Sequence, residues 1–269
     1  MFRAVVRRVL AGVTVAAVLA GPAGLAAADP GDPRRCRGAE VVLVHDLAGT
    51  AADWEPLAAD LRAAGWCPVA FEWGRPRPRD VPLPLGGLTG VETGAAELSR
   101  VAGWGTGAEP VPVVAKGVGG LVVQRAIHLA EPGPSPVGAL VTIGPVWNGT
   151  NVLGLADIED LSRALGTFDA ILAWERTWMD PLCEGCREAV RGSELLTRLH
   201  ADGVRTPGVT YTDIVSPGDL LIHPPLGQSP PGTRVHVLGT ADHGPAVWHG
   251  ELGRDPGSRR LVVDALGPT

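Results

Sequence analysis

The stretch Val111-Pro-Val-Val-Ala-Lys-Gly-Val-Gly-Gly-Leu121, continued by Val122-Val-Gln-Arg-Ala-Ile-His-Leu-Ala130, limits the fold of this chain more than any other. It opens as a short apolar run, the pattern of a strand buried on both faces. A sharp glycine-rich turn comes next, and then apolar residues at helical spacing. A strand buried on both faces needs helices over both sides of its sheet.

The rest of the chain repeats this alternation. Glu40-Val-Val-Leu-Val44 is a second apolar run, leading into the loop His45-Asp-Leu-Ala-Gly-Thr50. Ala51 to Ala64 carries Trp54, Leu57, Ala58 and Leu61 at helical spacing and stops at Gly65. Further strands are expected at Pro68–Phe71, Gly138–Ile143, Gly208–Val215 and Arg234–Gly239. Helices are expected at Val91–Ala102, Glu188–His200 and about Asp255–Leu266. Residues 151–180 have a helical, apolar pattern with no strand between them, which predicts a helical insertion over the sheet. Its Trp174 and Trp178 are expected either to line a cleft or to pack into the core. The fold class is therefore α/β, with a mainly parallel central sheet, right-handed crossovers and helices on both faces.

The N-terminus reads as an export leader. Arg3, Arg7 and Arg8 precede the apolar run Val9–Ala20, and Ala26-Ala27-Ala28 has the small residues of a cleavage site. The run is shorter than the ~20 residues a membrane span requires, and Gly21-Pro22 breaks the pattern directly after it. Residues 1–28 are thus assigned as a signal peptide cleaved after Ala28, and residues 29–269 as one secreted domain. The chain has 269 residues and a formal charge of -6, and three arginines leave with the leader, so -6 becomes -9. An acidic chain of this kind disfavours nucleic acid and anionic membrane surfaces as partners. The expected state is a monomer without a stable membrane span.

Four cysteines lie in the exported part: Cys36, Cys67, Cys183 and Cys186. Cys36 precedes the Val41–Val44 strand and Cys67 opens the next one. Parallel neighbours lie ~4.8 Å apart, within disulfide reach. The pairs Cys36–Cys67 and Cys183–Cys186 are expected. A zinc site at Cys183-x-x-Cys186 lacks two further ligands at suitable spacing, so neither metal nor cofactor is assigned.

In open parallel sheets, sites form at the carboxyl ends of strands. Four polar stretches fall at that edge: His45-Asp46, the Lys116-Gly117 turn, Asp219, and Asp242-His243. With these in place the chain resembles the secreted triacylglycerol lipases and esterases of actinobacteria, which are α/β-hydrolases. The likeness runs over most of the chain from Ala39 to Gly267. It is carried by Val41-Val-Leu-Val-His45, Leu61-Arg-Ala-Ala-Gly-Trp-Cys67, Cys183-Glu-Gly-Cys186, Gly192-Ser-Glu-Leu-Leu-Thr-Arg-Leu199 and Pro207-Gly-Val-Thr-Tyr-Thr212. The resemblance implies an α/β-hydrolase fold and ester hydrolysis, with an acyl ester or another apolar small molecule as ligand. It also implies a triad in the order elbow, Asp219, His243, and an oxyanion hole from the backbone N–H groups of Leu47 and Val118. The histidine would move the proton and the aspartate would orient the histidine.

Two positions depart from that pattern. The elbow motif Gly-x-Ser-x-Gly corresponds to Ala115-Lys116-Gly117-Val118-Gly119, so the nucleophile position is Gly117 and no acyl-enzyme can form there. Asp46 replaces the glycine that comes after the oxyanion-loop histidine, and a carboxylate there opposes developing negative charge. Lys116 is expected to offset that charge by pairing with Asp46. As a nucleophile Lys116 is set aside, because side chains flanking such a turn point away from the cleft. Ser216 is the serine nearest to Asp219, but no base is aimed at it. Three readings remain: a silenced lipase-like protein, an esterase with an unorthodox site, or a structural or interaction protein that keeps only the fold.

Overall fold

The computed structural model describes residues 38–75, 84–104, 109–130, 132–151, 154–222 and 228–269. The leader and Cys36 lie outside the described residues, and with them the Cys36–Cys67 pairing.

Among the described residues six strands form one sheet: β1 (Glu40–Val44), β2 (Cys67–Phe71), β3 (Val111–Lys116), β4 (Val137–Ile143), β5 (Thr210–Val215) and β6 (Arg234–Val237). Their order is β2-β1-β3-β4-β5-β6, and every adjacent pair is parallel. Eight described α-helices accompany them: α1 (Glu55–Ala63), α2 (Val91–Val101), α3 (Gly119–Leu129), α4 (Leu155–Ala164), α5 (Phe168–Trp178), α6 (Asp180–Glu188), α7 (Glu194–Asp202) and α8 (Pro256–Leu266).

The period-two rule sorts the strand side chains between two cores. Val42, Val44, Val113 and Ala115 face the layer holding α2, α3 and α7, where Leu98, Leu121, Ile127 and Leu199 meet them. Val41, Leu43 and Val114 face the opposite layer, against Leu57 and Leu61 of α1 and Leu261 and Val262 of α8. Central strands with no polar face at all are the reason β1 and β3 read as continuous apolar runs.

The helical insertion consists of α4, α5 and α6, and Cys183–Cys186 is a disulfide with Cα atoms 5.3 Å apart. The helix expected from Glu188 begins at Glu194. Gly192 has φ +82°, and the Ser193 hydroxyl caps α7 by accepting from Leu196 N. Trp174 and Trp178 neither line a cleft nor enter the core. They meet with ring centroids 5.2 Å apart and planes tilted by 57° on the open side of α5, 61% and 41% exposed. That helix buries only Leu172 and Glu175, so its covered stripe is too narrow to include them.

Candidate active site

The turn after β3 has the geometry its glycines require. Gly117 has φ +50°, the left-handed region in which residues with a Cβ are strained. Its N–H donates to Ile143 O at 3.0 Å, which ties the turn to the end of β4. Gly119 opens α3 directly against β1. A Cβ there would lie 2.6 Å from both Val44 O and His45 O, so only glycine allows this approach.

Asp46 leaves the end of β1 and points its carboxylate over that turn. Oδ1 accepts from two backbone groups, Leu47 N at 2.8 Å and Val118 N at 2.9 Å. These are the two N–H groups expected to form an oxyanion hole, and both converge on one oxygen of the protein itself. Oδ2 accepts from Lys116 Nζ at 3.2 Å. Lys116 therefore turns toward the site, not away from it as the position beside the turn suggests. The pull of the Asp46 charge across the loop explains the direction. A Cβ added to Gly117 would overlap the Asp46 carboxylate. The carboxylate thus fills the space in which an elbow side chain would begin.

The histidine that meets Asp219 is His249, not the expected His243. His249 Nδ1 lies 2.7 Å from Asp219 Oδ2, and its Nε2 lies 2.6 Å from Asp46 Oδ2. It sits in a short 3-10 turn, His249–Glu251, with 6% of its surface exposed. His243 is half-buried, with Nδ1 3.1 Å from Val237 O and its ring edge-on to His236. Asp242 beside it is exposed. The loop after β6 runs on past Asp242-His243 before it turns back to the sheet edge. Position after the strand therefore does not identify the histidine. The sequence signal was only a second histidine in Val-Trp-His-Gly, six residues further on.

Asp219 is where the strand pattern puts it, in the loop after β5. Its Oδ1 accepts from Leu221 N and Ile222 N, both at 3.1 Å, which aims Oδ2 at the imidazole. Ser216 is excluded as a nucleophile by its bonds. Its hydroxyl donates to Val247 O at 2.7 Å and accepts from Gly218 N and Val247 N.

The charges are strongly coupled. Burial alone would raise the Asp46 carboxyl, but Lys116, His249 and the Val118 N–H outweigh it and hold the pKa far below the usual range. Burial alone would lower His249. The Asp46 charge and hydrogen bonds to Asp219 and Asp46 raise it to about 9 instead. At neutral pH Asp46 is an anion and His249 a cation, with Lys116 beside the first and Asp219 beside the second. Beside it opens a cavity of about 300 Å³, lined by His45, Asp46, Leu47, Trp54, Lys116 and Trp248 among others. The wall is set by His45, whose ring stacks on Trp73 at 5.8 Å and whose Nδ1 is 2.8 Å from Asp46 O. Among the described residues no group of three or more His, Cys, Asp or Glu side chains could hold a metal ion.

An open parallel sheet with helices on both faces, a glycine turn after β3, an acid after β5 and a histidine after β6 define the α/β-hydrolase fold. Solved structures agree. The chain superposes on Aspergillus fumigatus lipase B with a TM-score of 0.58 at 18% identity, over 86% of this chain and 54% of that one. It therefore spans about half the length of that lipase. A monoacylglycerol lipase of Paleococcus ferrophilus gives 0.53 at 19% identity, over 84% of this chain and 95% of that one. An enol-lactonase from Burkholderia xenovorans LB400 gives 0.50 at 17%, over 87% and 93%. No family model matches the sequence, and no curated protein matches it. Likeness at these identities defines the fold.

Proposed function

We propose that this chain is an exported α/β-hydrolase of the lipase and esterase type that no longer hydrolyses external carboxylic esters and keeps a small-molecule site. One observation carries the reading: both oxyanion-hole N–H groups are already bonded to Asp46 Oδ1. Ester hydrolysis needs those donors free for the carbonyl oxygen as its charge develops, and losing one such donor costs about 10²–10³ in kcat. It also needs a nucleophile, and Gly117 has none. Export rests on the leader at residues 1–28. The ligand reading rests on the cavity of about 300 Å³, in which Leu47, Trp54 and Trp248 supply apolar wall beside Lys116 and Asp46. That size matches the lower end of small-molecule sites, ~300–1,000 Å³.

The test is a serine-directed fluorophosphonate probe together with short-chain nitrophenyl esters. The wild-type protein is expected to take no label and to turn over no ester above buffer. Gly117→Ser alone is expected to stay silent, because its Cβ overlaps Asp46. Gly117→Ser with Asp46→Gly is expected to label at position 117 and to gain esterase activity. Ester turnover by the wild-type chain, lost on mutating one of its own serines, refutes the reading.

A further inference from the structure

Lys116 is the only lysine of the chain: 23 basic residues less this one leaves 22, all arginines. The other ion pairs of strong bases among the described residues use arginine, whose planar fork suits a carboxylate better than an ammonium does. What a lysine adds is an amine, which becomes a nucleophile toward carbonyl carbon once it loses a proton. We propose that Lys116 and Asp46 condense, with loss of one water, to an intramolecular amide that ties the turn after β3 to the loop after β1. This goes beyond the loss of external ester hydrolysis and shares with it only the placement of Asp46.

The groups around Asp46 are those that acyl transfer to an amine requires. Oδ1 accepts from Leu47 N and Val118 N at 2.8 and 2.9 Å, so negative charge is met there as Cγ becomes tetrahedral. Oδ2, the oxygen that has to leave, lies 2.6 Å from His249 Nε2, and Asp219 Oδ2 fixes the imidazole from its other side at 2.7 Å. Lys116 Nζ lies 3.2 Å from the same Oδ2, and Cγ is one bond beyond that oxygen. No substrate has to reach the carboxylate, because the nucleophile is the group already on it. The sheet holds both ends in place: β1 and β3 pair in parallel with Val44 opposite Ala115, so Asp46 and Lys116 leave neighbouring strand ends. Gly117 allows the carboxylate this seat, since a Cβ there would overlap it. Condensation in water is uphill between free solutes, but groups held in contact react with an effective molarity of ~10⁵–10⁸ M. The amide also replaces an ion pair whose side chains are only 16% and 12% exposed, and a neutral group in such a place avoids the desolvation of two charges.

The steps balance. The Lys116 ammonium sheds one proton to solvent through the cavity it lines, which makes the reaction slow. The neutral amine bonds to Cγ as His249 Nε2 gives its proton to Oδ2, and the negative charge falls on Oδ1. The new nitrogen passes a proton to the neutral imidazole, and His249 hands it on to Oδ2. Collapse breaks Cγ–Oδ2, Oδ2 leaves as water, and Cγ–Oδ1 becomes the amide carbonyl. His249 regains from solvent the proton that Lys116 shed. The sum is ammonium plus carboxylate to amide plus water, with no other reactant. His249 stays protonated to about 9 against burial, so the acid is present while more of the amine becomes neutral with rising pH. The newly folded chain holds the ion pair, and it is this form whose stability follows the charges of the site.

The experiment follows the intact mass of the freshly purified, untagged mature chain on incubation at mildly alkaline pH. The expected result is a species lighter by one water. In it trypsin leaves residues 38–62 joined to residues 101–125, the stretches that hold Asp46 and Lys116. Lys116→Arg, which keeps a cation beside Asp46, and Asp46→Ala are expected to keep their full mass. His249→Gln is expected to lose water ~100-fold more slowly, the usual worth of a general acid. A folded wild-type chain that keeps its full mass and yields no joined peptide overturns the proposal. So does the same loss of water in Lys116→Arg, or a link between another pair of residues. Nitrophenyl ester run in parallel separates the two readings: ester turnover sinks the silenced-esterase reading, whereas full mass with no ester turnover sinks only this one.

Discussion

At the scale of single residues, the site is a line of alternating charges, and its pH dependence comes from that line. His249 is raised from 6.5 to about 9. A raised folded-state pKa gives stability that is complete below about 6.5 and is lost as pH rises through about 9. Asp46 is held low, so its contribution is present above its ordinary 3.8 and is lost only in strong acid. Unfolding free energy is therefore expected to fall between pH 6.5 and 9, by up to about 3 kcal/mol at ~1.4 kcal/mol per pKa unit. Lys116, which faces the same carboxylate, acts against the imidazolium, and that opposition is already contained in the value of about 9. His249→Gln should flatten the profile. Denaturant titrations across this range check it, and a wild-type curve that stays level contradicts the coupling.

At the scale of elements, the site exists because α3 is pressed against β1. Gly119→Ala puts a Cβ against two carbonyl oxygens of β1 and its loop. Overpacking of this kind costs about 1–3 kcal/mol, and it should also move Val118 N away from Asp46 Oδ1. A fall in denaturation midpoint together with a lower His249 pKa by NMR would show both effects. Stability lost without a change at His249 would separate the helix from the site. The Cys183–Cys186 bridge closes a four-residue loop, for which chain entropy gives about 2 kcal/mol. Replacing both cysteines with serine should cost no more than that in a denaturant titration. Strands were legible in the sequence wherever both faces are covered, as in Val41–Val44 and Val111–Ala115, since burial leaves no polar residue to interrupt the run. Asp46 and Gly117 could be singled out as well, because both stand in short segments directly after β1 and β3. His249 was hidden, because it hangs from a long loop whose path is set by Asp219 and Asp46 across the sheet. The outward face of α5 was hidden for a related reason: Trp174 and Trp178 have the composition of a core stripe but nothing packs over them.

At the scale of the whole molecule, the proposed export rests on the sequence pattern of residues 1–28. Among the described residues no helix is long and apolar enough to cross a membrane, and a disulfide is present, as exported chains permit. Expression with the native N-terminus is expected to give extracellular protein whose mass begins at Asp29; retention of residues 1–28 in the mature product would contradict the cleavage reading. The overlap between a Cβ at position 117 and the carboxylate at position 46 also couples those two positions. A lineage that starts from this chain and gains only a hydroxyl at position 117 meets a clash. One that loses only the carboxylate leaves Lys116 and His249 facing each other as uncompensated cations. Neither single step is neutral, so the path from this turn to one bearing a hydroxyl crosses a valley in sequence space, and the two positions are expected to stay as a pair.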